Sequence, residues 1–228
     1  MTVVKICGIT ELDQACCALD AGADLLGFVL APSRRQISME IATELVAQAR
    51  LRFPPEQRAW LAVGVFANQP LQFVQSAAAQ AGLDWVQLSG KEQPEYCRRL
   101  ALPILKSVHM PAPGHEDEDS ADPQWMDRQL AALKETYAPA RLLLDSGGAG
   151  RWGGTGVPFS WAAVGSQARG CMVAGGLSPD NVAMAVERMH PWGVDVSSGV
   201  ERNGRKDPQL IAQFIHRAKG GDQSGNVG

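Results

Sequence analysis

The 228-residue chain is 45% hydrophobic and 20% charged, ordinary values for a folded, water-soluble protein, and α/β barrels run to about 200–250 residues as one domain. A formal net charge of -3 gives no basic footprint for nucleic acid, and no apolar run approaches the ~18 residues of a membrane helix. The start, Met1-Thr2-Val3-Val4-Lys5, lacks the basic-then-apolar layout of a signal peptide.

Short apolar runs alternate with helically spaced stretches along the chain. The predicted strands are Val3–Ile6, Leu25–Leu30, Trp60–Phe66, Trp85–Leu88, Ile104–Val108, Leu142–Leu144, Met172–Ala174 and Val194–Val196. The predicted helices are Glu11–Ala21, Met39–Leu51, Leu71–Ala81, Pro94–Ala101, Trp125–Tyr137, Phe159–Val164, Pro179–Met189 and Pro208–Ala218. Thr10, Ser38, Ser178-Pro179 and Asp207-Pro208 are helix-start signals. Ala21-Gly22-Ala23-Asp24 and Ala81-Gly82-Leu83-Asp84 share one helix-end pattern, a C-cap glycine two residues before an aspartate that opens the next strand. Strands apolar on both faces and separated by helices imply a parallel sheet covered by helices. Eight repeats in a chain of this size favour a closed (β/α)₈ TIM barrel over an open doubly wound sheet, although periodicity alone does not show closure. Residues 1–219 are read as a single domain and 220–228, glycine-rich and polar, as a disordered tail. The acidic, proline-bounded segment Met110–Pro123 interrupts the rhythm; its consecutive carboxylates read as solvated rather than as a metal site.

The five cysteines, Cys7, Cys16, Cys17, Cys97 and Cys171, are scattered and contain no C-x-x-C pair. This points to free thiols in a reducing cytoplasm, with no disulfide framework. Cys7, in Lys5-Ile6-Cys7-Gly8-Ile9-Thr10, stands where the first strand stops. In barrels of this type the carboxyl ends of the strands face the ligand, so Cys7 is a candidate for chemistry as well as for packing. Asp145 ends the sixth strand and falls on the same rim. Ala174-Gly175-Gly176-Leu177 after the seventh strand and Ser197-Ser198-Gly199-Val200 after the eighth are expected to cradle phosphate, because glycine lets backbone N–H groups approach an anion. The glycine-rich run Trp152-Gly153-Gly154-Thr155-Gly156 could close over a ligand. Arg34 and Arg35 lie on the loop after the second strand, where an arginine can hold a carboxylate or phosphate with its planar fork; Arg34 reads as solvated. A thiol, a carboxyl and an anion anchor at one barrel mouth suggest proton transfers on a phosphosugar, without naming it.

Those segments, with Leu26-Gly27-Phe28-Val29, Ser33-Arg34-Arg35-Gln36-Ile37, Val63-Gly64-Val65-Phe66, Val86-Gln87-Leu88, Leu144-Asp145-Ser146 and Val194-Asp195-Val196-Ser197-Ser198-Gly199-Val200-Glu201, resemble the phosphoribosylanthranilate isomerase family of tryptophan biosynthesis over nearly the whole chain. The resemblance implies an Amadori rearrangement of N-(5-phosphoribosyl)anthranilate to 1-(2-carboxyphenylamino)-1-deoxyribulose 5-phosphate, needing no metal or organic cofactor. It implies a small-molecule phosphoribosyl substrate, with no nucleic-acid or membrane partner, for a monomer or homodimer. By motif position Asp145 would be the general acid and Cys7 the general base. Arg35 would contact the anthranilate side, Asp195 would orient the amine, and Gly154, Gly175, Gly176, Ser197, Ser198 and Gly199 would line the phosphate region. Catalysis would ask for a lowered Cys7 pKa and a raised Asp145 pKa. The chain departs from the family pattern at Ser89-Gly90, where His-Gly is usual, at Ser160, and at the turn Asn203-Gly204-Arg205-Lys206. A related ribosyl-phosphate isomerase and a phosphate-binding barrel without turnover are the alternatives; relatives of the first kind tend to use two aspartates, which the thiol at position 7 argues against.

Overall fold

Eight parallel strands close into a barrel in sequence order, β1 to β8, with β8 returning to pair with β1. The computed structural model describes residues 1–54, 56–57, 59–109, 125–145 and 168–221. The strands are β1 (Val3–Cys7), β2 (Leu25–Val29), β3 (Leu61–Phe66), β4 (Trp85–Leu88), β5 (Ile104–His109), β6 (Arg141–Asp145), β7 (Met172–Ala174) and β8 (Gly193–Val196). Seven helices are described among them: α1 (Leu12–Ala21), α2 (Met39–Arg52), α3 (Leu71–Gln80), α4 (Pro94–Arg98), α5 (Trp125–Tyr137), α6 (Val182–Met189) and α7 (Pro208–Ala218). The sheet is therefore closed, which periodicity left open. The predicted helix 159–164, the acidic segment 110–123, the glycine-rich run 152–156 and Ser160 lie outside the described residues.

Alternation along the strands sorts the two cores, since successive side chains point to opposite faces. Val4, Ile6, Leu26, Phe28, Val86, Leu142, Leu144, Val194 and Val196 face outward into the layer beneath the helices. Leu25, Val63, Leu105, Leu143 and Met172 fill the barrel interior. Each such fully buried side chain contributes about 1.5–3 kcal/mol. At the amino ends of the strands Trp85 and Trp192 stack with centroids 5.8 Å apart. The Arg141 guanidinium lies 4.0 Å over the Trp192 ring and closes that end.

The repeated Gly-x-Asp pattern has a common geometry. Gly22 takes φ +108° and Gly82 φ +60°, a region that favours glycine. The following residues return hydrogen bonds into the helix end, Ala23 N–H to Ala18 O at 2.8 Å and Leu83 N–H to Ala78 O at 2.9 Å. Two residues past each glycine, Asp24 Oδ2 accepts from Val4 N–H at 2.8 Å and Asp84 Oδ2 from Ala62 N–H at 2.7 Å. Each aspartate thus ties the start of its own strand to the strand before it.

Ser38 and Asp207 cap α2 and α7 as expected: Ser38 accepts from Ile41 N–H, Asp207 from Gln209 and Leu210 N–H. Thr10 does not cap α1. The helix begins after Glu11 without a side-chain cap, and Gln14 Oε1 reaches back to accept from the Thr10 N–H and hydroxyl. Nor does α6 begin at Pro179. Ser178 Oγ accepts from Asp180 N–H, and Asn181 Oδ1 from Ser178 N–H, so 178–181 form a turn before the helix. Gly220 and Gly221, assigned to the tail by the sequence, bond back to Arg217 O and His216 O at the end of α7. Residues 222–228 lie outside the described set.

Candidate active site

Cys7 and Asp145 end β1 and β6 and line one cavity of about 350 Å³ at the carboxyl ends of the strands, together with Arg35, Gln87, Ser89, His109, Asp195 and Ser197. Such a volume suits a small organic ligand. Cys7, Val29, Ala31 and Val65, with Ala67 beside them, form an apolar wall. A flat apolar group fits against that wall, and the polar residues across from it suit an oxygen-rich one.

The wall exists because Cys7, Val29 and Val65 all fall on the inward phase of their strands. Gly27, paired in register with Cys7, makes room for the sulfur. A Cβ there would lie 2.9 Å from Cys7 Sγ and 3.0 Å from Lys5 Nζ. Lys5 is wholly buried and donates to Asp195 Oδ1 at 2.9 Å, from the position paired with it in β8. Burial pulls Lys5 down, but the Asp195 carboxylate and the Cys7 sulfur more than reverse this and hold it above the ordinary lysine value. Burial pushes the Cys7 thiol up, against the pull of Lys5, and Asp195 adds to the rise. The lowered Cys7 pKa that catalysis would call for is thus not supplied by the protein groups around it: a sulfur inside a barrel loses more solvation than one neighbouring ammonium returns.

Arg35 sits between the cavity and an ion cluster on Glu201. It donates Nε to Glu201 Oε1 at 2.6 Å and Nη2 to Oε2 at 2.9 Å. Arg34 Nη2 reaches the same carboxylate at 2.8 Å, although its side chain is 60% exposed, so the expected solvated arginine carries an ion pair as well. Lys206 Nζ, buried, donates to Glu201 Oε1 at 3.0 Å and to Ser197 O at 2.9 Å. Burial would raise Glu201, but hydrogen bonds and charge from Arg35 and Lys206 hold it below the usual carboxylate value. Burial lowers Lys206, which Glu201 only partly offsets. Glu201 and Lys206 lie on a two-stranded ribbon, β9 (Glu201–Arg202) and β10 (Arg205–Lys206), turned by Asn203 and Gly204, both at positive φ.

The expected phosphate residues fall into three groups. Ser197 lines the cavity, and its hydroxyl donates to Cys7 O at 3.0 Å. Gly175 and Gly176 follow β7 at φ +84° and +65°, with Asn181 Nδ2 holding Gly176 O at 2.8 Å. Ser198 and Gly199 form a 3-10 turn after β8, packed so closely that a Cβ at 199 would collide with the Leu177 carbonyl. Gly154 lies outside the described residues. Sequence reading assigned no site role to Gln87, His109, Glu201 or Lys206. Gln87 Oε1 is buried with no partner among the described residues, while its Nε2 donates to Ser89 Oγ at 3.1 Å. Ser89, at the family's histidine position, also shares a hydrogen bond with Ser107 Oγ. Inward phase at strand ends β4 and β5 was the signal for Gln87 and His109. Nothing local marks the Glu201 cluster.

Fold and site together define a (β/α)₈ barrel with a thiol and a carboxyl at one mouth and glycine loops beside them. Residues 4–217 match the model of the N-(5'-phosphoribosyl)anthranilate (PRA) isomerase family, and the chain belongs to that family. It is 44% identical over 220 residues to N-(5'-phosphoribosyl)anthranilate isomerase of Roseiflexus castenholzii, covering 95% of this chain and 98% of the relative. It is 43% identical to the protein of that name from Desulforudis audaxviator, covering 96% and 98%. The crystal structure of phosphoribosyl anthranilate isomerase from Thermotoga maritima superposes with a TM-score of 0.79 at 35% identity, covering 96% of this chain and all of that one. A crystal structure of the enzyme with reduced 1-(o-carboxyphenylamino)-1-deoxyribulose 5-phosphate gives a TM-score of 0.75, also at 35% identity with 96% and 100% covered.

Proposed function

We propose that the protein isomerises N-(5-phosphoribosyl)anthranilate to 1-(2-carboxyphenylamino)-1-deoxyribulose 5-phosphate, with Cys7 as general base and Asp145 as general acid. The observation that carries the assignment is that both groups line the same cavity at the carboxyl ends of β1 and β6. The reduced product analogue in the related crystal structure combines an aryl carboxylate, a secondary amine, a polyol and a phosphate. The apolar wall suits the ring, Arg35 the carboxylate, Asp195 the amine, and the loops at Gly175, Gly176, Ser197, Ser198 and Gly199 the phosphate, with Gly154 as a further member of that group. Residues 1–219 act as one domain in this reading.

The Asp145 carboxyl gives its proton to the furanose ring oxygen. The bond from that oxygen to the anomeric carbon breaks, and the nitrogen lone pair forms an iminium. The Cys7 thiolate takes the proton from the adjacent sugar carbon, whose electrons make the carbon–carbon double bond of an enolamine as the iminium returns its charge. Tautomerisation gives the ketone. One sugar carbon is oxidised while its neighbour is reduced, so no external redox cofactor or metal enters the balance. The iminium charge also favours a nearby thiolate, which burial of the sulfur disfavours.

All the residues assigned belong to one chain, so the site suits either a monomer or a homodimer. The five free cysteines suit a reducing cytoplasm, and among the described residues no helix is long and apolar enough to cross a membrane.

The test is turnover followed by loss of anthranilate fluorescence. Cys7→Ser and Asp145→Asn should each lower kcat by about 10²–10⁴-fold, the range of general acid–base contributions, while substrate still binds. Wild-type turnover at background would leave a binding barrel, and full activity in Cys7→Ser would reject the assigned base.

A further inference from the structure

Lys5 and Cys7 are two residues apart on β1 and both project into the barrel, where a lysine is costly. The Lys5 side chain is 0% exposed, and an ammonium removed from water must be compensated by charge and hydrogen bonds. Asp195 supplies one partner at 2.9 Å. The second is the Cys7 sulfur, on the same inward phase of β1, whose negative charge when ionised attracts the ammonium. Gly27 on β2 leaves open the space between them, since a single Cβ there would crowd both Sγ and Nζ. A methionine at position 5 would fill the same volume with no charge to compensate. The ammonium is therefore placed where only an anionic sulfur, in addition to Asp195, gains from it.

We propose that Lys5 is a positioning residue for the reaction, whose ammonium, anchored by Asp195 and admitted by Gly27, stabilises the thiolate of Cys7. This rests on Cys7 being the base. With the thiol neutral, Lys5 and Asp195 form a balanced pair. Once the thiol ionises, two anions share one ammonium, so Asp195 both holds Lys5 in place and opposes the thiolate. Among the described residues, the other charged or titratable groups near the sulfur are Lys206 from β10, Arg35 from the loop after β2, and His109 and Asp145 at the ends of β5 and β6. Lys5 is the one on Cys7's own strand, and its ammonium borders the same space beside Gly27 as the sulfur.

The experiment is alkylation of Cys7 by iodoacetamide as a function of pH, read on the Cys7 peptide by mass spectrometry, without substrate. Lys5→Met should move the midpoint up by about one pH unit or more, slowing alkylation at pH 8 about tenfold, because each unit of pKa changes the thiolate fraction tenfold. Its kcat/KM should fall by a similar factor, mostly in kcat. Asp195→Asn should move the alkylation midpoint down, since it removes the opposing carboxylate and frees Lys5 for the sulfur. Should Lys5→Met fail to fold with Asp195 left unpaired, the double variant Lys5→Met/Asp195→Asn buries no charge. Its midpoint should lie at least about one unit above that of Asp195→Asn alone, the two differing only in Lys5. An unchanged midpoint in a folded Lys5→Met protein, or equal midpoints for Asp195→Asn and the double variant, would overturn the proposal. Absent turnover in wild type with the alkylation shifts intact would instead overturn the isomerase reading and leave the Lys5–Cys7 coupling standing.

Discussion

Arg35 and Glu201 form a two-point clamp across 166 residues of sequence, with N···O distances of 2.6 and 2.9 Å. The clamp joins the loop after β2 to the ribbon after β8, on either side of β1 and therefore of Cys7. Glu201 also satisfies Lys206, whose side chain is only 2% exposed. Glu201→Gln leaves that ammonium buried against a neutral amide. It should destabilise the protein by about 3 kcal/mol at neutral pH, as expected when one partner of a buried pair is removed. The sign with pH follows from Glu201 lying below its ordinary 4.5. Its contribution is fully present above that value and is lost as pH falls through the lower folded value. Urea denaturation of both proteins should show the difference shrinking in that acid range and unchanged between pH 6 and 7.

Gly27→Ala tests how tightly the sulfur is housed. The new Cβ meets Cys7 Sγ at 2.9 Å and the Cys7 Cα at 3.0 Å, so Cys7 and Lys5 have to shift. Overpacking of this kind costs about 1–3 kcal/mol, and with Cys7 in its proposed role as base kcat should fall by at least about tenfold, since proton abstraction depends on hydrogen-bond-scale placement. Gly82→Ala is the contrast. Nothing lies within 4 Å of its Cβ, but φ is +60°, so about 1 kcal/mol of stability should go with kcat untouched. Steady-state kinetics beside thermal melts separate the two cases.

Alkaline pH should reveal the buried thiols. Burial raises Cys7, Cys97 and Cys171 above 9.0. As pH rises past about 9 the unfolded chain loses these protons first, so the folded state binds more protons and stability falls with pH. Cys7→Ser removes one such group. Between pH 9 and 10 wild type should lose more stability than the variant, with the 1.36 kcal/mol carried by one proton per pH unit as the upper limit. Equal slopes in parallel denaturant titrations would contradict this.

The barrel was legible in the sequence because each strand is a short apolar run closed by punctuation residues. The predicted strand boundaries agree with the observed ones within one residue, as at Trp85–Leu88 and Met172–Ala174, which coincide, whereas the helix predicted over Pro94–Ala101 ends at Arg98 and that over Pro179–Met189 starts at Val182. The Gly-x-Asp repeat was legible as a helix end, but the hydrogen bond from each aspartate to the preceding strand was not, because it depends on neighbouring strands. Thr10 misled because its hydroxyl donates to Gln14 Oε1 instead of accepting from the first turn of α1. Cys7 and Asp145 could be placed on one rim by strand phase alone. The charge balance at Cys7 could not, since Asp195 is 190 residues from Lys5 in sequence. Arg34 and Arg35 show the same limit: their shared carboxylate lies in a ribbon that nothing local to either residue announces.

Away from the cavity, the Lys106–Glu92 pair offers a test of what buried charge contributes to this barrel. Lys106 Nζ meets Glu92 Oε2 at 2.9 Å with both side chains at most 3% exposed. It also donates to Gly90 O at 2.6 Å and Leu88 O at 3.3 Å, so it closes the end of β4 as well as pairing. Glu92 Oε1 in turn accepts from Asn68 N–H at 2.7 Å, which fixes the loop after β3. Lys106→Met strands the carboxylate and should cost about 3–5 kcal/mol. Lys106→Met/Glu92→Gln removes both charges and keeps an acceptor for Asn68, so it should regain about half of that loss, the remainder reflecting the two carbonyls left uncapped. Urea unfolding of the two variants and of Glu92→Gln, which strands the ammonium and should itself cost about 3 kcal/mol, completes a double-mutant cycle, and the double variant should lose clearly less than the sum of the two single ones. Additive effects would mean that the lysine acts through the strand-end carbonyls alone.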